Sequence, residues 1–72
     1  MHRIRDLRED RDLSQTEVAM VIHTTQQHYS KIELGKTSIS SDKLILLAKF
    51  YNVSIDYILG LTDEKKPLFT EK

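Results

Sequence analysis

The stretch that decides the fold is residues 14–35, which read SQTEVAMVIHTTQQHYSKIELG. It begins with a capping box, in which the side chains of Ser14 and Glu17 each accept a hydrogen bond from the other residue's amide. A helix therefore starts at this point and runs to Ile22, with its apolar residues at helical spacing. Ala19 lies where this helix is expected to cross the next one, and its small side chain lets the two backbones approach closely.

The second half of the stretch predicts another helix. His23-Thr24-Thr25 interrupts the apolar spacing, and Thr25 is a suitable N-cap for a helix over residues 26–33. Gly35 suits the left-handed position that ends it. The inward positions of this helix are Tyr29 and Ile32. Two short helices joined by a three-residue turn form the supersecondary pattern of many DNA-binding proteins.

Further helices are expected on both sides of this pair. Residues 3–11 form the first, with Ile4 and Leu7 inward. A polar loop runs from Lys36 to Ser41, with Ile39 as a tether to the core. Ser41 is expected to cap a fourth helix, whose buried stripe is Leu44, Leu47, Ala48 and Tyr51.

A short fifth helix completes the set. Asn52 tolerates a left-handed turn, Ser54 caps the helix, and Gly60 ends it. The helix carries Ile55, Ile58 and Leu59. No segment alternates with the period of a strand. The sequence therefore predicts an all-α fold, a compact bundle of five short helices in which the second and third form a helix-turn-helix.

Length and composition limit the number of domains and the kinds of site and membrane segment that the chain can have. The 72 residues predict one domain over residues 1–61, followed by a charged tail over residues 62–72 that Pro67 interrupts. There is no Cys for a disulfide or thiolate metal site, and no apolar run long enough for a membrane span. Residues 1–13 do not resemble a targeting segment. We expect a cytoplasmic protein without a membrane segment or cofactor.

The charge balance is neutral. Eleven Lys and Arg face eleven Asp and Glu, whereas nucleic-acid-binding domains are usually basic. Each of the segments 1–13, 14–36, 37–61 and 62–72 is also balanced. Composition alone therefore argues weakly against a nucleic-acid partner. Whether the chain can bind nucleic acid depends on which face of the fold each charge occupies.

The spacing of the central motifs resembles that of the Cro/CI-type (Xre) helix-turn-helix family. The matching segments are Leu13-Ser14-Gln15, Val18-Ala19, Thr25-Gln26-Gln27, Ser30-Lys31-Ile32-Glu33 and Gly35-Lys36, and Asn52 to Gly60 looks like the family's last helix. The resemblance covers residues 4–61, and the run from Thr24 to Gln27 is similar to the recognition helix of lambdoid phage repressors. It implies a lambda-repressor-like fold that places its third helix in the major groove of double-stranded DNA.

The resemblance implies a set of DNA-contacting residues. Thr25, Gln26 and Gln27 begin the recognition helix, where a Gln amide can pair with adenine N6 and N7. Two adjacent exposed glutamines are mostly only solvated, but the surrounding motif favours base contact. Lys31 would reach a guanine edge or a phosphate. The expected phosphate contacts are Gln15 at the start of the second helix, and Lys36, Thr37 and Ser38 after the third.

Two further features follow from the resemblance. Glu33 would repel DNA phosphates, but in the family this glutamate pairs with an arginine of the first helix, here Arg8. We expect this partly buried ion pair in preference to two solvated charges. His23 replaces the usual turn glycine, which implies a disfavoured positive φ. Residues 37–41 lack the basic residues that some members carry.

These features predict a dimeric transcriptional regulator, a repressor, that binds a pseudo-palindromic operator. The expected dimer interface is Tyr57, Ile58 and Leu61 with part of the tail, where Leu68 and Phe69 are apolar. The alternative is an antitoxin that binds a protein partner and regulates its own gene. Either a homodimer face or the face for such a partner would use apolar residues expected on the outer helix faces, namely Met20, Val21, Ile45, Leu46 and Phe50. We do not expect an enzyme, because His2, His23 and His28 form no catalytic or metal-binding motif.

Overall fold

The computed structural model describes residues 2–65, and every regular element in that part of the chain is a helix. The helices are α1 (Ile4–Asp10), α2 (Gln15–Val21), α3 (Gln26–Glu33), α4 (Ser41–Tyr51) and α5 (Ile55–Ile58). This confirms the predicted bundle of five short helices. Residues 66–72 of the predicted tail lie outside the described residues, and so do Leu68 and Phe69.

Hydroxyl side chains start four of these helices. Ser14, Thr25, Ser40 and Ser54 each accept a hydrogen bond from the amide three residues further on. At Ser14 the full capping box is present, with both reciprocal bonds to Glu17. The predicted cap of α4 was wrong by one residue: Ser40 is the N-cap, and Ser41 is already helical. Of two adjacent serines, only the one with extended backbone can cap the helix.

Each helix ends at a residue with a left-handed backbone. At the end of α2, His23 has φ 60°. Its amide donates to Met20 O at 3.2 Å, and the Thr24 amide donates to Ala19 O at 2.9 Å. The same paired bonds follow the other helices, around Asp12, Gly35, Asn52 and Gly60. These turns let very short helices reverse direction, and they confirm the positive φ expected at His23.

The core is built from one apolar face of each helix. Ile4, Val18, Ile22, Tyr29, Leu47 and Ile58 have almost no exposed surface, and Ala19 is 1% exposed where α2 meets α3. Because these apolar faces pack against one another, the positions of α2 and α3 are fixed relative to the other helices. Ile39 packs against the core from the loop after α3, as expected of a tether.

The start of the predicted tail is attached to the body. The Ser54 amide donates to Lys65 O at 3.0 Å, and Arg3 Nη1 donates to Thr62 O at 2.7 Å. Arg3 also pairs with Asp63 at 2.7 Å. Residues 62–65 therefore run back along α5. In the described part of the chain, no helix has the length and apolar character needed to cross a membrane.

Candidate nucleic-acid interface

The first turn of α3 presents two exposed side chains, Gln26 and Gln27. Thr25 holds this turn in place, because its hydroxyl oxygen accepts from the His28 amide at 3.1 Å. Thr25 itself is exposed. The N-terminus of α2 lies beside this turn, and the side chains of Gln15 and Gln26 are hydrogen-bonded to each other there.

Gln15 connects the exposed turn to a buried carboxylate. Its Oε1 accepts from Gln26 Nε2 at 2.8 Å, and its own Nε2 donates to Glu33 Oε1 at 3.1 Å. Gln15 is half-buried, whereas Gln26 is exposed. Sequence reasoning placed both glutamines at the interface and missed the contact between them. Gln15 keeps one side-chain N–H for the predicted phosphate contact. The free backbone amides at the start of α2 are available to the same phosphate.

Arg8 and Glu33 form the ion pair that the family resemblance implied. Arg8 Nε donates to Glu33 Oε2 at 2.6 Å and Arg8 Nη2 to Glu33 Oε1 at 3.2 Å. The Glu33 side chain is 3% exposed and that of Arg8 is 14% exposed. Arg8 also donates to Leu13 O at 2.8 Å. The pair ties α1 to α3 and to the entry of α2.

Burial and hydrogen bonding act in opposite directions on the Glu33 carboxyl. Burial by itself raises its pKa, but the hydrogen bond from Arg8, the neighbouring Tyr29 hydroxyl and the hydrogen bond from Gln15 outweigh it and hold the pKa below its usual range. The hydrogen bond to Glu33 raises the pKa of the Arg8 guanidinium further, against the effect of its burial. Both groups are therefore charged at neutral pH, and their charges cancel beside α3.

Two tyrosines lie beneath this network. The hydroxyls of Tyr29 and Tyr51 are buried and make no hydrogen bond within residues 2–65. Burial raises the pKa of Tyr51 to about 12. Burial, together with the nearby carboxylate of Glu33, raises that of Tyr29 well above its usual value. Both tyrosines are therefore neutral residues of the core.

The remaining predicted contacts lie on the outer side of α3 and the loop after it. Lys31 is exposed one turn after Gln27. The Lys36 amide donates to Lys31 O at 2.9 Å, which brings the start of the loop back beside the helix. Thr37 is half-buried and Ser38 is exposed. Neither lysine pairs with a carboxylate among residues 2–65, so both charges face solvent.

Other cations occupy the carboxyl ends of helices, where sequence reasoning gave them no role. Arg3 Nη1 donates to Tyr57 O at 2.7 Å, Arg11 Nη2 to Tyr51 O at 3.0 Å, and Lys43 Nζ to Ile22 O at 3.1 Å. Positive charge is favourable at these ends of a helix. No local pattern in the sequence marks these contacts, because the partners of Arg3 and Arg11 are distant in sequence.

An apolar groove of about 570 Å³ lies behind the loop that follows α3. Its lining includes Ile32, Ile39, Leu44 and Leu59, and Lys36 to Ser38 form one side. His2 hydrogen-bonds to Ile32 O at 2.9 Å at the edge of the groove. Two exposed leucines lie next to groove residues in the chain: Leu34 is 63% exposed and Leu61 is 73% exposed.

The predicted dimer interface needs one correction. Ile58 has no exposed surface, because it closes the core beneath α5 and cannot contact a second chain. Tyr57 is half-buried, and its ring lies 4.3 Å from the Arg3 guanidinium carbon. Leu61 is open to solvent. Of the apolar residues expected on outer helix faces, Met20, Ile45 and Phe50 are exposed, whereas Val21 and Leu46 pack against the core.

Known proteins of similar sequence agree with this architecture. The model of a helix-turn-helix family, HTH_3, matches residues 4–58. The chain belongs to this family. It therefore has the helix-turn-helix domain of DNA-binding transcriptional regulators, which are not enzymes. The predicted resemblance and the prediction of a non-enzymatic protein are both confirmed. Within residues 2–65, no cluster of three or more His, Asp and Glu could hold a metal ion.

Two curated proteins illustrate the relationship. The chain is 39% identical over 70 residues to the uncharacterized HTH-type transcriptional regulator YobD of Bacillus subtilis, covering 97% of the chain and 62% of that protein. It is 45% identical over 53 residues to the cryptic phage CTXphi transcriptional repressor RstR of Vibrio cholerae, covering 74% of the chain and 48% of that protein. The chain thus spans only part of each relative's length. No solved structure gives a significant match.

Proposed function

We propose that this protein binds double-stranded DNA sequence-specifically and represses transcription as a homodimer on a pseudo-palindromic operator in the cytoplasm. One observation carries the proposal. The first turn of α3 holds Gln26 and Gln27 exposed beside the N-terminus of α2, on a helix pair fixed by the Arg8–Glu33 ion pair. The repressor and regulator named among the relatives support the same role.

Base reading is assigned to the start of α3. With α3 in the major groove, its N-terminal residues face base edges, and a Gln amide matches the N6 donor and N7 acceptor of adenine. Gln27 and Gln26 would read neighbouring base pairs. Lys31, one turn further along, would contact a third base edge or the adjacent phosphate. Thr25 contributes its hydroxyl at the same end of the helix.

Phosphate binding is assigned to the two sides of α3. Gln15 and the free amides of α2 would hold one phosphate, and Lys36 with Thr37 and Ser38 would hold another. Beside α3, Lys31 and Lys36 are the lysines that pair with no carboxylate among residues 2–65. Each copy of the chain would therefore displace few counterions from the DNA. Affinity should therefore depend on salt less steeply than in strongly basic DNA-binding domains.

A second copy of the chain would supply the rest of the affinity. A single recognition helix reads only about 4–6 base pairs, so two copies should occupy half-sites about 34 Å apart. We place the interface on the side of Tyr57 and Leu61, and extend it to Leu34 and Leu59 beside the apolar groove. These exposed side chains would gain by leaving water, at about 25 cal/mol per Å² of buried apolar surface.

Selection of binding sites from a random DNA library tests the proposal, followed by sedimentation of the protein free and on the selected duplex. The expected result is an inverted repeat with half-sites about one helical turn apart, bound by two copies. A matched variant, Leu61→Asp, should weaken binding to the full site while leaving weak half-site binding intact. No enriched sequence, or one copy on the duplex, would contradict it.

A second candidate function rests on a different surface. Met20 is 70% exposed on α2, and Ile45 and Phe50 on α4 are 39% and 38% exposed. Exposed apolar side chains of this size favour a protein partner, as in an antitoxin that also regulates its own gene. Purification from the native host distinguishes the two, because an antitoxin would arrive with a second protein bound. Met20→Lys would then release that protein without affecting DNA binding.

A further inference from the structure

Glu33 is the last residue of α3, and both of its carboxylate oxygens accept hydrogen bonds. Oε2 accepts from Arg8 Nε at 2.6 Å. Oε1 accepts from Arg8 Nη2 at 3.2 Å and from Gln15 Nε2 at 3.1 Å. An ionised carboxylate can only accept hydrogen bonds, so every neighbour must turn a donor towards it.

This requirement determines which way the Gln15 amide points. Because Gln15 must offer its NH₂ to Glu33, its carbonyl oxygen faces the other way, where it accepts from Gln26 Nε2 at 2.8 Å. Gln26 must in turn direct its NH₂ towards Gln15. The orientation of an exposed amide thus follows from a side chain that is 3% exposed.

We propose that Glu33 is a positioning residue for DNA recognition, which acts through Gln15 to set the donor and acceptor order that Gln26 presents to a base. The proposal rests on the DNA-binding function above. A primary amide has two N–H groups, so Gln26 keeps its oxygen and one N–H for the DNA. Those two atoms in the right order match adenine, and in the reverse order they do not.

Gln27 provides an internal comparison. Its side chain is exposed on the same turn and makes no hydrogen bond to any residue in the described part of the chain. Its amide can rotate freely before DNA binds, whereas that of Gln26 is set in advance. The base pair read by Gln26 should therefore depend on Glu33, and the one read by Gln27 should not.

The substitution Glu33→Gln tests the relay with the least change of shape. A neutral amide at residue 33 can donate to Gln15 Oε1, which allows Gln15 and then Gln26 to turn over. Arg8→Lys is the matched control, because it weakens the ion pair but leaves the carboxylate that orients Gln15. Gln15→Met is the second relay variant. It removes the amide at the surface of α2, where a folding defect is not expected.

Each variant is measured against duplexes that carry every single-base change in the selected operator. Glu33→Gln and Gln15→Met should lose about 5- to 100-fold of discrimination at the Gln26 base pair, and none at the Gln27 pair. Arg8→Lys should keep both preferences even if it melts earlier. If Glu33→Gln keeps the wild-type preference at every position, or loses preference equally at all positions, the positioning role is wrong.

A measurement without DNA separates the relay from the proposed function. In ¹⁵N-labelled protein, Glu33→Gln should shift the side-chain amide resonances of Gln15 and Gln26 and leave those of Gln27 in place. Unchanged Gln26 resonances would overturn the relay whatever the DNA results are. Shifted resonances in a protein that prefers no DNA sequence would overturn the DNA-binding function instead, and the recognition role of Glu33 with it.

Discussion

Arg8 and Glu33 lie 25 positions apart and form a two-point ion pair that joins α1 to the end of α3, with Arg8 Nε 2.6 Å from Glu33 Oε2. Hydrogen bonds from Arg8 to Leu13 O and from Gln15 to Glu33 bring the start of α2 into the same cluster. The geometry of the helix-turn-helix therefore depends on charges that never need to touch DNA.

Removing either partner of this pair should destabilise the domain clearly. Arg8→Ala and Glu33→Ala leave a charge with little solvent and no partner, which costs about 3–5 kcal/mol for a fully buried pair. We expect the lower end of that range, because the Arg8 side chain is 14% exposed. Urea denaturation of each variant measures the change in the free energy of unfolding.

The exposed pair of Arg5 and Glu9 is the control for that experiment. Its atoms are 3.0 Å apart, but the two side chains are 65% and 51% exposed. Arg5→Ala should therefore cost no more than about 1 kcal/mol. If the Arg8 and Glu33 variants are equally mild, the ion pair is solvated and does not hold the helices together.

The same pair should make stability depend on pH in the acid range. The folded-state pKa of Glu33 lies below its unfolded value, so its contribution is complete above the unfolded pKa of about 4.5 and is lost as the pH falls through the folded pKa. Wild type should lose more stability than Glu33→Gln between about pH 7 and pH 3. Parallel losses in the two proteins would mean that Glu33 titrates alike in both states.

Replacing the turn residue His23 with glycine should stabilise the domain. At φ 60°, a residue with a Cβ is strained by about 1–2 kcal/mol, and the greater entropy of unfolded glycine offsets part of the gain. We expect His23→Gly to stabilise the domain by about 0.5 kcal/mol. His28→Gly, inside α3, should instead destabilise it by about 0.3–0.5 kcal/mol, the difference between the helix propensities of His and Gly. A lower melting temperature for His23→Gly would show that the imidazole makes a stabilising contact.

Sequence reasoning succeeded where a structural feature depends on neighbours in the chain. The limits of α2 and α3 follow from Ser14, Thr25 and Gly35, since caps act over three or four residues. The left-handed backbone at His23 was predicted from the turn glycine of the family that the chain resembles, and that at Asn52 from the tolerance of asparagine for this conformation. Asp12 was missed, because the sequence shows no comparable break after α1.

The details that were missed involve contacts between distant residues. The capping of helix ends by Arg3, Arg11 and Lys43 joins positions up to 54 apart, and no local pattern marks it. The hydrogen bond between Gln15 and Gln26 requires the exact crossing of two helices. Ile58 was expected at the surface, because one turn of helix gives too few residues to tell its buried side from its exposed side.

In the proposed complex, Gln27 reads a base, whereas Lys36 contacts only the DNA backbone. The decisive measurement is the affinity of Gln27→Ala and Lys36→Ala for the operator, its single-base variants and random DNA across salt concentrations. Gln27→Ala should lose about 1–3 kcal/mol on the operator and relax preference at one base pair. Lys36→Ala should weaken all duplexes alike and lower the salt dependence by about one unit per copy. If Gln27→Ala keeps the wild-type preference at every position, α3 does not read the DNA through this side chain.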